Sequence, residues 1–495
     1  MMKIGLNVFE SDILKQTPDC RPLLEGLDFA VCHIDCNRHS VRENLENAAR
    51  IADFFDKQGM SFIANFEFQN FAFGSKGPDG YEWTRREDGT FRLNLPDTFV
   101  RALNSRGNCM GIMLDEFEHV LINDAPSFPF AFRGKSSPEV FALQQGLNVT
   151  VRSTRLTEQL TSYARELKQK GAAGVSGEHV FPVLYHTFAR AGILPNFKAQ
   201  KESYAPVQFA LAAGAALEYQ LPLRCCTDMW FMNTHPGHSA EEMANCLKFC
   251  FLVGVDEAYV ESETAMQKQG VINEIGRAFG DFVREFNKKE RPYDIRDYRP
   301  EVGIIRMDDG YWGQSGILWK KMLLGDPAIR PDRKAKEYLR VFHLLTRGKT
   351  NVNGINWGRM TPWSLRRHRS FCPLNSLAVY DNFVRRETLE SLKICFLCGE
   401  TVSPETLTDV RTLVRENGLT VITKKRFAPD DLKQGGRDGT GRWVVVRSFL
   451  SLKARRAAKE YLPGKDEMRL RFQDRVVLMK IARDGDSFAE ITDHT

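Results

Sequence analysis

The sequence has no hydrophobic run long enough to cross a membrane. Its longest largely apolar stretch, residues 209–217, falls well short of the roughly 20 residues that a spanning helix needs. The basic, apolar and small-residue segments of a signal peptide are also missing, because Met1-Met2-Lys3 leads straight into a strand-like segment at residues 4–9. These absences predict a soluble, cytoplasmic protein that does not bind membranes.

A disulfide framework is not indicated. The eleven cysteines are an odd number and are scattered along the chain. One pair, Cys395 and Cys398, has CxxC spacing, but it lies inside the apolar run 394–398. Since no second CxxC or His pair completes a tetrahedral set of zinc ligands, we interpret the cysteines as reduced side chains that fill the core, and we expect no metal centre.

Strong charge of one sign is missing as well. The net charge of +6 is dispersed, and basic segments such as Lys424-Lys425-Arg426 contain no aromatic residues on which bases could stack. Nucleic acid is therefore not an expected partner. No glycine-rich phosphate loop follows the strand-like segments at 302–307 or 393–398, so no cofactor is expected.

What the sequence does contain is a regular alternation of strands and helices. With 495 residues, of which 42% are hydrophobic, the chain can form one large globular domain and one or two smaller ones. Strand-like segments at 4–9, 29–35, 61–66 and 110–114 leave room for a helix between each pair, which predicts a parallel sheet. The expected fold class is α/β, beginning with a (β/α)8 TIM barrel.

The last strands of the barrel can be counted in two ways. With strand 5 at 180–186, one count takes 196–202, 223–230 and 258–261 as strands 6, 7 and 8. The other count leaves 196–202 as a loop and closes the barrel with 302–307. We prefer the first count, because 302–307 is better suited to open the next domain.

Three domains are predicted. Residues 1–295 would form the catalytic barrel, 296–435 a flavodoxin-like α/β domain, and 436–495 a small antiparallel β domain. Since the second domain has no phosphate loop, we expect it to supply contacts between subunits, which predicts a homo-oligomer such as a dimer or trimer.

Acidic residues mark the end of the fourth strand. The segment Cys109-Met110-Gly111-Ile112-Met113-Leu114 is apolar, and it breaks abruptly into Asp115-Glu116-Phe117-Glu118-His119. A TIM barrel builds its active site at the carboxyl ends of its strands, so acids at these ends should meet at one mouth. The residues expected there are Asn65, Glu67, Asp115, Glu116, Tyr185, His186, Glu202, Asp228, Trp230 and Glu261.

Carboxylates beside aromatic rings are suited to sugar chemistry. One carboxylic acid can protonate a glycosidic oxygen, a second carboxylate can attack the sugar or activate water, and rings can stack on the sugar's apolar faces. Two of these residues also have structural interpretations. His186 could hydrogen-bond within the barrel, and Glu202 could stabilise the start of the helix that follows it.

Several motifs carry a resemblance to a known family. They are Leu114-Asp115-Glu116 at the end of strand 4, residues 254–261 before a helix, and 301–305 followed by Tyr311-Trp312. Together with the domain order, they make the chain similar to the family 42 β-galactosidases and their relatives in glycoside hydrolase clan A. The resemblance implies that Glu116 is the acid/base catalyst, with Asp115 standing where the clan usually has Asn.

The resemblance also implies a nucleophilic carboxylate from a late barrel strand. In the clan this residue is a Glu at the end of strand 7. We rank Glu261 first, because it belongs to the mouth on either strand count, and place Glu202 and Asp228 after it.

The hypothesis from the sequence is thus a glycoside hydrolase that acts on oligosaccharides or glycosides by a two-carboxylate, retaining mechanism. The residues expected to hold the carbohydrate are Asn65, Glu67, Asp115, Tyr185, His186 and Trp230. One alternative is a metal-dependent TIM-barrel isomerase or lyase, with a divalent ion on Glu67, Asp115, His186 and Asp228. Another is a carbohydrate-binding protein without catalysis.

Overall fold

The first eight strands close into a parallel barrel in chain order, with β1 paired to both β2 and β8. This is the predicted TIM barrel. The computed structural model describes residues 1–15, 19–36, 39–66, 95–115, 149–179, 184–199, 204–229, 238–261, 263–268, 270–306, 333–351 and 368–494. The barrel strands are β1 (Lys3–Phe9), β2 (Phe29–His33), β3 (Ser61–Asn65), β4 (Cys109–Asp115), β5 (Val175–His179), β6 (Leu194–Ala199), β7 (Arg224–Asp228) and β8 (Glu257–Glu261).

The preferred strand count is confirmed, since the barrel closes at β8 and residues 302–305 lie in another sheet. The position predicted for strand 5 is wrong. The strand lies at Val175–His179, and residues 185–190 of the predicted segment are helical. β5 gives a weak hydrophobic signal because its inward-facing side chains, Ser176 and Glu178, are polar.

Some helices on the outside of the barrel begin at residues whose side chains cap them. The third helix, for example, has a capping box, in which Ser40 Oγ accepts from the amide of Glu43 and the Glu43 side chain accepts from the amide of Ser40. The helices described in this part of the chain are α1 (Glu10–Lys15), α2 (Arg21–Leu24), α3 (Val41–Lys57), α4 (Asp97–Leu103), α5 (Val149–Gln169), α6 (Tyr185–Arg190), α7 (Ala205–Tyr219), α8 (Ala240–Leu252) and α9 (Glu274–Phe286).

Two further sheets follow the barrel, apart from a two-stranded ribbon of β9 (Gln267–Lys268) and β10 (Val271–Ile272). The first is a mostly parallel six-stranded sheet, and the second is a small, mainly antiparallel sheet. In spatial order, the six-stranded sheet contains β13 (Leu377–Tyr380), β11 (Val302–Ile305), β14 (Ile394–Leu397), β15 (Thr420–Thr423), β17 (Gly441–Val445) and β16 (Gly436–Asp438). The small sheet contains β12 (Leu374–Asn375), β18 (Glu467–Phe472), β19 (Arg475–Ile481) and β20 (Phe488–His494).

The six-stranded sheet extends beyond residue 435, where the sequence analysis ends the second domain, because β16 and β17 pair with it. The helices described in this part of the chain are α10 (Glu337–Leu345), α11 (Arg386–Leu389), α12 (Pro404–Asn417) and α13 (Leu452–Ala457). None of the helices that the structure describes combines the length and apolar character needed to cross a bilayer.

Helix α7 is the wall that the barrel shares with the six-stranded sheet. It packs against β6 on one side and against β13 on the other, and residues 205–216 are all buried. A helix buried on every side is expected to be apolar all round, which explains its alanine-rich sequence. At its C-terminal end, Asp381 accepts from Arg190 Nη2 at 2.8 Å and from Tyr219 Oη at 2.6 Å, so a buried ion pair also joins the two domains.

Replacing Gly214 with alanine should disrupt this shared wall. A Cβ atom at this position would lie 1.7 Å from the carbonyl oxygen of Val379, which is backbone and cannot rotate away. We expect a loss of about 1–3 kcal/mol in the free energy of unfolding, as in other overpacked cores, measured by urea denaturation. Gly280→Ala in α9 is the matched control, because its Cβ would meet only the flexible end of Arg284, and it should not destabilise the protein. Equal stability of both variants would contradict the prediction.

Candidate active site

The last inward-facing residue of each barrel strand forms a ring at the carboxyl-end mouth. The inner face of the barrel is identified by the cluster that contains Val31, Met113 and Tyr259, and every second residue along a strand shares that face. The ring consists of Phe9, His33, Asn65, Asp115, Glu178, Lys198, Asp228 and Glu261.

One half of the ring is a buried lysine surrounded by carboxylates. The Nζ atom of Lys198, a residue only 2% exposed, lies 2.9 Å from Glu178, 3.2 Å from Glu261 and 3.3 Å from Asp228. Glu178 lies on β5 and Asp228 on β7, the two neighbours of β6, and Glu261 lies on β8. Burying an ammonium group is costly unless charged partners surround it, and this arrangement supplies them.

The carboxyl group of Glu178 has a raised pKa. Burial raises the pKa of its carboxyl group to about 8, because the nearby ammonium of Lys198 lowers the pKa by less than burial and the negative charges of Glu261 and Asp228 raise it. Asn196 Nδ2 donates to Glu178 Oε2 at 3.1 Å and fixes the orientation of the carboxyl group. The site therefore contains a carboxylic acid that can give up a proton near physiological pH.

The second carboxyl group of interest, Glu261, lies close to this acid. An oxygen of Glu178, an oxygen of Glu261 and the sulfur of Cys226 all lie within 4.8 Å of one another. The Glu261 side chain is 14% exposed, whereas those of Glu178 and Asp228 are almost completely buried. Of these three acids, Glu261 is thus the one most open to a molecule that enters the mouth.

The other half of the ring is a chain of amides and an imidazole. Asn65 Nδ2 donates to Asp115 Oδ2 at 2.7 Å and lies 3.0 Å from His33 Nε2, which Asn7 Nδ2 approaches to 2.6 Å. Asn7, His33, Asn65 and Asp115 are thus joined by close polar contacts from one side chain to the next. This network fixes Asp115 at the mouth through contacts that cross four adjacent strands.

Four residues predicted for the site do meet in this ring: Asn65, Asp115, Asp228 and Glu261. Four others, Glu67, Glu116, Glu202 and Trp230, lie outside the described residues. In sequence, Glu116 directly follows Asp115, Glu67 follows Asn65 by two positions, and Trp230 follows Asp228 by two.

Tyr185 and His186 are not at the mouth, which corrects their predicted role. Both lie on α6, where Tyr185 Oη donates to Gln208 Oε1 at 2.8 Å. His186 Nε2 lies 2.8 Å from the carbonyl oxygen of Val379, in the six-stranded sheet. Tyr185 therefore contacts α7, and His186 lies where the barrel meets the six-stranded sheet. For His186, a structural role was one of the two interpretations from the sequence. The metal set that includes His186 is consequently not assembled.

Four members of the ring were not predicted from the sequence: Phe9, His33, Glu178 and Lys198. Glu178 was missed because strand 5 was placed too late in the sequence, at residues that follow it. Lys198 lies inside the segment predicted as strand 6, but the site residue chosen from that segment was Glu202, which comes after the last residue of β6 in sequence. Counting alternate residues from Asn196, which lies on the inner face, would have identified Lys198.

Neither the start of α8 nor the CxxC pair belongs to the ring. Ser239 caps α8, with its Oγ accepting from the amide of Glu242 at 3.1 Å, and His238 Nδ1 lies 2.7 Å from the Glu242 side chain. Cys395 and Cys398 are completely buried and are not joined by a disulfide, which confirms that they fill the core.

No family model matches this sequence, and no curated protein matches it either. Solved structures are similar in fold. A GH42 exo-carrageenase from Bacteroides ovatus is 10% identical, and the match covers 100% of this chain and 75% of that one with a TM-score of 0.42. A glucosidase from Croceicoccus marinus is 10% identical over 57% of this chain and 67% of its own, with a TM-score of 0.37. An HpcH/HpaI aldolase from Desulfitobacterium hafniense is 10% identical over 58% of this chain and 94% of its own, with a TM-score of 0.28. At these values the similarities carry no argument about activity.

Proposed function

We propose that the protein is a retaining glycoside hydrolase in which Glu261 is the nucleophile and Glu178 the proton donor. The observation that carries the proposal is the close pair of carboxyl groups at the barrel mouth, with oxygens within 4.8 Å of each other. Retaining glycosidases hold their two carboxyl groups about 5–5.5 Å apart, whereas inverting ones need about 6.5–9.5 Å to admit a water molecule. The short separation supports retention.

The two residues differ in the way the reaction requires. Glu178, with a pKa of about 8, would transfer its proton to the glycosidic oxygen as the bond to the anomeric carbon breaks. The Glu261 carboxylate would attack that carbon and form a glycosyl ester. Water would then attack the same carbon and give a proton back to Glu178, while the ester bond to Glu261 breaks. This step releases the sugar and restores both side chains.

Lys198 has a defined role in this scheme. Its ammonium lies 2.9 Å from Glu178 and 3.2 Å from Glu261, so it would stabilise the carboxylate left on Glu178 after proton transfer and orient Glu261 for attack. Asp228, Asp115 and Asn65 offer acceptors and a donor for sugar hydroxyl groups around the same mouth.

The resemblance to clan A assigns the acid/base role to Glu116 instead. In sequence, Glu116 directly follows Asp115, the last residue of β4, and Glu178 lies on the neighbouring strand β5. We favour Glu178 because its environment raises its pKa into the range where a general acid works at neutral pH.

A screen of nitrophenyl glycosides, followed by NMR of the first product, tests this proposal. We expect hydrolysis of at least one glycoside, with the first product in the same anomeric configuration as the substrate. A 2-deoxy-2-fluoro glycoside with a good leaving group should inactivate the enzyme, and mass spectrometry of a digest should locate the sugar on Glu261. An inverted first product would exclude the mechanism, a label on Asp228 or Glu202 would move the nucleophile, and sugar binding without turnover would indicate a binding protein.

A further inference from the structure

Cys226 lies on the inner face of β7, next to the carboxylates of the mouth. Its sulfur is 3.6 Å from Glu261 Oε2 and within 4.8 Å of a Glu178 oxygen, and the residue is fully buried. The proposed hydrolytic reaction gives this thiol no part. A thiol beside two carboxylates is a mixed set of sulfur and oxygen donors, which is a ligand combination that Zn²⁺ accepts.

The side chains around this thiol already converge on one positive charge. The Lys198 ammonium is 2.9–3.3 Å from carboxylate oxygens of Glu178, Asp228 and Glu261. Glu178 Oε1, which is completely buried, is the oxygen nearest to the ammonium. A buried carboxyl oxygen is thus directed at the centre of the cluster, where the positive charge lies.

We propose that Glu178, Cys226 and Glu261 form a binding site for a thiophilic divalent cation such as Zn²⁺, which displaces the Lys198 ammonium. In a tetrahedral zinc site, bond lengths of about 2.3 Å to sulfur and 2.0 Å to oxygen place the two donors about 3.5 Å apart. The observed distance between Cys226 Sγ and Glu261 Oε2 is 3.6 Å.

The surroundings add selectivity to this site. The thiol of Cys226 and the carboxyl group of Glu178 each release a proton to solvent when the ion binds, and a thiolate ligand favours Zn²⁺ over Mg²⁺ or Ca²⁺. Asn196 donates to the other oxygen of Glu178 and is suited to orient that ligand from outside the coordination sphere. Since the ion would engage both proposed catalytic carboxylates, it would act as an inhibitor of hydrolysis.

Cobalt substitution tests the site without relying on enzymatic activity. The purified full-length protein is treated with chelator, dialysed and titrated with Co²⁺, which gives a thiolate-to-cobalt charge-transfer band only when sulfur is a ligand. We expect the wild-type protein to show this band, Zn²⁺ to remove it by competition, and Mg²⁺ at a hundredfold higher concentration to leave it unchanged.

Two cysteine variants provide the comparison. Cys226→Ser should abolish the band and weaken Co²⁺ binding at least about tenfold. Cys225→Ser is the matched control, because Cys225 is the adjacent residue and equally buried but belongs to the core outside the barrel, so the band should persist. Thermal unfolding of both variants verifies that they are folded.

The outcomes separate this inference from the proposed function. Absence of the band in wild-type protein, or its persistence in Cys226→Ser, would overturn the metal site whatever the protein hydrolyses. A band that depends on Cys226 would support the site even if no glycoside were cleaved. Loss of the band in both variants, with both folded, would also overturn it, since the signal would not then report on the mouth.

Discussion

Glu178→Gln is expected to lower turnover by about 10²–10⁴-fold, the range that loss of a general acid usually costs. Glutamine has nearly the shape of a protonated carboxyl group, and its amide can still face Lys198 and Asn196, but it cannot release a proton. The loss should be large for a glycoside with an alkyl leaving group, which must be protonated as it departs. It should be much smaller for a dinitrophenyl glycoside, whose leaving group departs without help.

Comparison of the two leaving groups identifies the acid. If Glu116→Gln shows this dependence on the leaving group and Glu178→Gln does not, then Glu116 is the proton donor, as the clan A resemblance implies. Equal losses on both substrates for Glu178→Gln would mean that Glu178 affects the site in some way other than proton transfer.

The same substitution should stabilise the protein at alkaline pH. The pKa of Glu178 is about 8 in the folded protein, against an ordinary value of 4.5, chiefly because the carboxyl group is buried. Between these values the folded state retains a proton that the unfolded chain releases, so the free energy of unfolding falls as pH rises, by up to about 1.4 kcal/mol per pH unit. Glutamine carries no such proton. The stability of Glu178→Gln relative to wild type should therefore increase from pH 5 to pH 8, measured by urea denaturation.

Glu257→Gln is the matched control, because its effect on the free energy of unfolding should depend on pH in the opposite direction. Glu257 lies on the inner face at the other end of β8, where burial raises the pKa of its carboxyl group but Arg224 and Lys3 lower it further, to below its usual value. Its contribution to stability is present at neutral pH and is lost as pH falls through the folded-state pKa. Parallel pH profiles for the two variants would contradict the assignment of Glu178 as a buried acid.

Lys198→Met should be the most destabilising single change at the mouth. Methionine matches the length of lysine but leaves Glu178, Asp228 and Glu261 without the ammonium that lies within 3.3 Å of each of them. Breaking a buried ion pair by removing one partner costs about 3–5 kcal/mol. The loss should be larger at pH 8 than at pH 5, because the acids can take up protons at the lower pH.

A double variant and a surface-lysine variant test whether Lys198 is the counter-ion of the acids. Adding Glu178→Gln to Lys198→Met removes one of the stranded acids and should recover part of the lost stability, by about 0.5–3 kcal/mol of coupling. Lys3→Met is the control, because the Lys3 side chain is 56% exposed and its pair with Glu257 should contribute less than about 1 kcal/mol. A loss below about 1 kcal/mol for Lys198→Met at pH 8 would mean that the lysine is not the counter-ion of the cluster.

A strand could be predicted where apolar residues mark it strongly. β4 is apolar until Asp115, so the position of its carboxyl end was predicted correctly. Val302-Gly303-Ile304-Ile305 is apolar too, and it forms a strand of the six-stranded sheet that follows the barrel. Strands with this much apolar character identify themselves from local sequence.

The strands that supply the rest of the site carry a weaker signal. β5 places the polar residues Ser176 and Glu178 inside the barrel, so two of its five residues lack the apolar character expected of a core strand, while the apolar segment after it has the composition of a strand. Lys198 is a charged residue at an inward-facing position where an apolar residue is expected. Its burial is explained only by the carboxyl groups that β5, β7 and β8 place around it. A polar interior at the mouth is a requirement of the site, and it removes the periodic pattern from which strands are recognised.

The helix that packs on both β6 and β13 limits how the chain can be divided. Because residues 205–216 are covered on one side by the sheet that follows the barrel, a shortened protein ending at residue 295 would present that alanine-rich surface to water. Such a fragment would associate with itself instead of remaining monomeric. The barrel and the six-stranded sheet therefore have to stay together in any shortened form of the protein.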